Sequence, residues 1–118
     1  MLKTAKGFRH IYIACGYTDL RRGIDSLAYM VRQQFNLDPF DEGSIFLFCG
    51  RRSDRIKALI YEGDGFCLLY KRLSDGHFQW PRNQQEVQEI THAQYQALMD
   101  GFEVIRRQTI RSIKPEIL

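Results

Sequence analysis

Glu62-Gly63-Asp64-Gly65 separates two runs rich in β-formers, residues 55–61 and 66–73, and leaves the middle of the chain little freedom. Asp-Gly between two such runs is a strong hairpin signal, because a tight antiparallel turn needs residues that tolerate positive φ. With a loop of two or four residues, odd-numbered residues of the first run share a face with even-numbered residues of the second. One face then carries Ile56, Ala58, Ile60, Cys67, Leu69, Lys71 and Leu73. It is mostly small and aliphatic and is expected to face the core. The other carries Arg55, Lys57, Leu59, Tyr61, Phe66, Leu68, Tyr70 and Arg72, with bases and aromatics interleaved.

The rest of the chain reads as alternating short elements. Residues 9–14 are expected to form a strand. Thr18 reads as a helix N-cap, with Asp19 favouring the positive helix end. Leu20, Ile24, Leu27, Val31 and Phe35 then make one apolar stripe, which predicts a long helix over 19–35. Gly23 weakens it locally, by roughly 1 kcal/mol against Ala, and Asn36 and Pro39 end it. The continuous apolar run SIFLFC at 44–49 predicts a central strand. A second tight turn at Ser74-Asp75-Gly76 leads into an expected strand at 77–80, stopped by Pro81. Residues 87–90 are a further short strand candidate. Thr91 with Gln94 forms a capping-box pattern before a helix that ends near Gly101. Short turns between consecutive strands imply antiparallel pairing. The expected class is therefore α+β, with about five mainly antiparallel strands, a long N-terminal helix and a C-terminal helix packed on the sheet.

At 118 residues the chain fits one domain, 1–118, with 102–118 read as a basic tail that is either a last helix or an arm, mobile or partner-binding. The net charge of +3 is too modest to argue for nucleic acid by itself. The kind of base says more: twelve of the 17 basic residues are Arg, whose planar fork suits phosphates and guanine edges and stacks on aromatics. Cys15, Cys49 and Cys67 are an odd count at wide spacing, with no CxxC or HxxxH pattern. They read as reduced thiols of a cytoplasmic protein, with no metal site and no cofactor. No segment approaches the ~18 apolar residues of a membrane span, and the N-terminus lacks the apolar stretch of a signal peptide.

Catalytic patterns are weak. Asp19, Asp25, Asp54 and Asp64 could be imagined as a two-metal nuclease site, but helix-start, polar-face and turn roles account for them. His10, His77 and His92 are scattered, and there is no P-loop or GxGxxG. The residues that stand out are basic and aromatic. Arg51, Arg52, Arg55, Lys57 and Arg72 are candidates for phosphate contact, Tyr61, Phe66 and Tyr70 for stacking or packing, and Arg21 and Arg22 for an extension of the patch. The same pattern suits a protein-binding face, or a half-exposed sheet whose Arg, Lys and Tyr stems merely cover apolar surface while Asp54 pairs with a neighbouring Arg.

Four ordered blocks resemble a known family. They are Thr18-Asp19-Leu20-Arg21-Arg22-Gly23-Ile24-Asp25, residues 48–57 (FCGRRSDRIK), residues 63–73 (GDGFCLLYKRL) and Gly76-His77-Phe78-Gln79-Trp80-Pro81, followed by a helix-like segment at 90–101. Together they resemble the small accessory protein, TnpB or Orf2-like, encoded beside the transposase in insertion sequence 66-type elements. Gly50 stands where that family is expected to have Asn, and Cys67 where an aromatic is common. The resemblance implies a non-enzymatic accessory role in transposition, with element DNA and a DDE-type transposase as partners. It supplies no catalytic residues, so the site residues above rest on the face argument and the Arg-rich turn alone. A homodimer through a strand edge is compatible with this reading.

Overall fold

A computed structural model of the chain describes residues 2–3, 5–82 and 86–103. In chain order the elements are β1 (His10–Ala14), α1 (Ile24–Gln33), β2 (Ser44–Cys49), β3 (Arg55–Tyr61), β4 (Phe66–Arg72), β5 (Val87–Ile90) and α2 (His92–Met99). The strands form one sheet in the order β4-β3-β2-β1-β5. β2–β3, β3–β4 and β1–β5 pair antiparallel, whereas β1 and β2 run parallel with α1 as their crossover. A parallel pair needs such a crossover, and here it supplies the layer that covers one face. The α+β class stands.

The hairpin has the expected register. Glu62 N–H donates to the Gly65 carbonyl at 2.8 Å across a four-residue loop, Gly63 takes a φ of +95°, and Tyr61 pairs with Phe66 through to Arg55 with Arg72. Parity therefore divides the two strands as read from the turn. Ile56, Ala58 and Ile60 join one core with Ile11, Ile13, Ile45 and Leu47 and with Tyr95 and Leu98 of α2. Leu59 joins the opposite core with Phe46, Phe48 and the α1 residues Leu27, Met30 and Val31. Fully burying one such side chain contributes roughly 1.5–3 kcal/mol, so β2, with all six residues buried, anchors both layers.

The long N-terminal helix is corrected by the structure. α1 spans ten residues, follows β1, and starts from Gly23 in an extended conformation with no side-chain cap. Thr18 is not its cap: it is buried, and its N–H donates to the Cys49 carbonyl at 2.8 Å. Residues 19–22 form a turn instead. The Asp19 carboxylate accepts the Arg21 backbone N–H at 3.0 Å, which competes with helical hydrogen bonding. Asn36, at φ +55°, closes the other end. Leu20 and Phe35 still pack against the α1-side core from outside the helix. The stripe therefore marks burial correctly and helix length wrongly.

Residues 77–80 are also not a strand. Phe78 and Trp80 are buried, but they are held by single bonds: Phe78 N–H to the Ser53 carbonyl at 2.7 Å and the Trp80 indole to the Ala14 carbonyl at 2.9 Å. The strand in this region is β5. α2 carries the expected capping box, with Gln94 N–H donating to Thr91 Oγ1 at 3.0 Å and Thr91 N–H to Gln94 Oε1 at 2.7 Å. Burial pushes the Cys15 and Cys49 thiols up to about 11, while Cys67 is half-buried on β4. The proposed 102–118 tail lies outside the described residues from 104 onward. Among the described residues no helix is long and apolar enough to cross a membrane.

Candidate nucleic-acid interface

The basic-aromatic face of β3 and β4 is covered unevenly. Over its middle, α1 buries Leu59 completely and packs on Leu68 and Phe66. Beyond that cover, at the end where β3 begins, the face opens into a cavity of about 840 Å³. β3 contributes Arg55 and Lys57, and β4 contributes Leu68 and Tyr70. The turn before β3 adds Gly50, Arg51 and Arg52, and the segment before α1 adds residues 17–21. Three separate stretches of sequence thus meet around one concavity.

Contacts between backbone segments fix that meeting. The Thr18–Cys49 hydrogen bond ties the 17–21 segment to the end of β2. Leu20 sits against bare backbone at Gly50, where an added Cβ would come within 3.1 Å of Leu20 Cδ1. Arg82 spans the junction: its guanidinium donates to the carbonyls of Gly16 at 3.0 Å, Gly50 at 2.8 Å and Arg51 at 3.3 Å. Arg51 in turn lies 4.3 Å from the Tyr17 ring centroid and donates to the Tyr17 hydroxyl at 2.8 Å, a stacked cation–π arrangement.

The charges divide into compensated and available groups. Arg21 grips Asp19 through three side-chain bonds at 2.8, 3.0 and 3.2 Å, and these hold the Asp19 carboxyl well below the ordinary range. Arg55 binds Asp54 at 2.8 and 3.2 Å, which likewise lowers the Asp54 carboxyl. Lys57 Nζ donates only to the Arg22 carbonyl, at 3.1 Å. Arg52 is exposed and makes no hydrogen bond or ion pair among the described residues. Five cations line the cavity, and two carboxylates, Asp19 and Asp54, pair with them. The local field is therefore positive.

The structure thus brings together Arg21, Arg51, Arg52, Arg55, Lys57 and Tyr70. It separates others. Arg72 is exposed across from Arg55 but does not line the cavity. The Arg22 side chain turns to Ser26 Oγ at 2.7 Å. Tyr61 and Phe66 lie at the far end of the strands, four residues from Lys57 and Tyr70 or roughly 13 Å at ~3.3 Å per residue, in a cluster with Phe40 whose ring centroids are 4.9–5.1 Å apart. Sequence reasoning missed Tyr17 and Arg82. Neither belongs to a local pattern, and only the tertiary contacts reveal them. Of the four aspartates weighed for metal chemistry, Asp19 and Asp54 are bound to arginines. Among the described residues no three His, Cys, Asp or Glu side chains are grouped to hold a metal ion.

Comparison with known proteins agrees with the ordered blocks. The family model described as IS66 Orf2 like protein matches residues 9–109. The chain is 38% identical over 103 residues to a Sinorhizobium fredii protein named only as uncharacterized protein y4hO, covering 87% of this chain and 88% of that one. A second protein of the same organism, uncharacterized protein y4jC, is 29% identical over 106 residues, covering 90% and 89%. No solved structure matches. Among the described residues, the match over 9–109 takes in all five strands, both helices and every residue lining the cavity, and the chain belongs to the IS66 Orf2-like family of transposition-associated accessory proteins.

Proposed function

We propose that residues 1–118 form one cytoplasmic accessory domain that acts in transposition without catalysing a reaction, by holding element DNA at the basic cavity. The observation that carries this reading is the convergence of Arg51, Arg52, Arg55 and Lys57 with Tyr70 around one concavity, where Lys57 Nζ bonds only a backbone carbonyl and Arg52, close enough to Asp54 to lower its carboxyl, forms no direct ion pair with it. Cations placed this way neutralise phosphates and release counterions, so affinity falls steeply with salt. The element's DDE-type transposase is the protein such a complex would serve. Fluorescence anisotropy with labelled element-end duplex tests the reading. Replacing Arg52 and Lys57 together by Ala should weaken binding and lower the salt slope by about two. Unchanged affinity and slope in that variant would sink it.

A second reading, an adaptor that docks on the transposase, is favoured by a different place. Phe40 is 47% exposed above Tyr61 and Phe66, and Tyr29 on α1 is 67% exposed. An aromatic patch of this kind suits a protein partner. Here Phe40→Ala would abolish capture of the transposase, with little salt dependence, whereas the Arg52 and Lys57 changes would not.

A further inference from the structure

A basic surface that only tracks a duplex has no need of a cavity. Duplex phosphates lie on the outside and the base faces stay stacked, so a row of cations is sufficient. This site is built differently. Among its cations stand Tyr70, 53% exposed, and the side chains of Leu20 and Leu68. Neither leucine can contact a phosphate; both offer surface to something flat and apolar. The volume of about 840 Å³ lies within the ~300–1,000 Å³ of small-ligand sites. The Leu20 wall is held in place because Gly50 presents no side chain against it. The Arg51 guanidinium is itself held over Tyr17, 4.3 Å from the ring centroid, and bonded to its hydroxyl. An aromatic and apolar lining among cations matches an aromatic base that carries a phosphate.

We infer that this cavity takes an unpaired nucleotide of DNA, with the base against Tyr70 and Leu68 and its phosphate at Arg52 and Lys57. The inference rests on the nucleic-acid reading above and narrows it from duplex backbone to an unstacked base. Only an extrahelical or single-stranded nucleotide offers its ring face, and stacking on aromatic side chains is how proteins hold such bases. Stacking of this kind is tolerant of base identity, because every base has a π-face.

The test compares the full chain on matched probes by anisotropy: a hairpin-capped duplex, the same duplex with a short 3′ overhang, and that overhang made abasic. The overhang should bind about tenfold more tightly than the capped duplex, the scale of one stacked base, and the abasic probe should lose that gain. Tyr70→Ala should collapse the overhang-to-duplex ratio toward one, and Tyr70→Phe should preserve it. The ratio is internal to each variant, and the abasic probe asks the same question of the unaltered protein should Tyr70→Ala fold poorly. Displacement of the overhang by dAMP supports the site with a free nucleotide sufficing; an overhang preference without displacement supports it with the strand as the source. Salt-sensitive binding that is equal on all probes overturns the nucleotide site and leaves the duplex interface standing. No binding to any probe overturns both.

Discussion

The two ends of the β3–β4 ribbon present the same face of the same strands, yet they meet different surroundings. At the hairpin end, Tyr61 and Phe66 close into a cluster with Phe40, and Tyr61 donates to the Gly63 carbonyl at 2.9 Å. At the other end, Arg55, Lys57 and Tyr70 line an open cavity. Between them α1 covers Leu59 and part of Leu68. Alternation decides which face a side chain occupies. What lies over that face decides whether the side chain packs or is available to a partner. A basic-aromatic stripe is thus one pattern in sequence and two surfaces in space.

The largest effect should come from the shared middle. Leu59→Ala removes a fully buried side chain beneath α1 and should cost about 2–5 kcal/mol in urea unfolding, disturbing both ends at once. If DNA affinity then survives at temperatures well below the melt, the cavity end is more independent of the core than this arrangement implies. Phe40→Ala acts on the hairpin end alone. It breaks contacts with two rings and should cost about 1–2 kcal/mol of stability while leaving DNA affinity as it was. A matching loss of DNA binding would merge the two ends into one surface.

The smallest effect is the most pointed. Asp54→Asn releases Arg55 from its ion pair and should tighten salt-sensitive DNA binding by about threefold. The same change has a pH signature. The Asp54 carboxyl is held below its ordinary unfolded value, chiefly by the Arg55 hydrogen bond. Its contribution to stability is therefore present above that value and is lost as pH falls through the lower folded value. Thermal melts of Asp54→Asn should show a shallower decline at acid pH than the unaltered chain, and identical acid limbs would show that the pair contributes nothing.

What was legible in the sequence was what local chemistry settles. The hairpin turn set its register, and the Thr91–Gln94 box set the start of α2. The outer limits of α1 were not legible, because Asp19 satisfies the Arg21 backbone locally and Gly23 starts the helix later, while Leu20 and Phe35 bury themselves from turns. Phe78 and Trp80 alternate as a strand would, but they pack as single anchors. The parallel β1–β2 pair was invisible to a reading of short turns, since a crossover reverses what adjacency suggests. The candidate site was half legible. Face parity put Arg55, Lys57 and Tyr70 on the face that lines the cavity, but it placed Tyr61 and Phe66 with them and gave no hint of Tyr17.

Arg82 also bears on the order in which the molecule assembles. β2, β3 and β4 follow one another through short connections and can pair as soon as they exist. The Arg82 bonds close spans of 66, 32 and 31 residues, and contacts that close long spans are the slow ones to form. During synthesis the meander can therefore form while the wall joining Gly16, Gly50 and Arg51 does not yet exist. A nascent or truncated chain that stops short of position 82 would keep the Thr18–Cys49 and Leu20–Gly50 contacts but lack the guanidinium that clamps Gly16, Gly50 and Arg51 together, so the stiffness of that junction arrives with the last third of the chain.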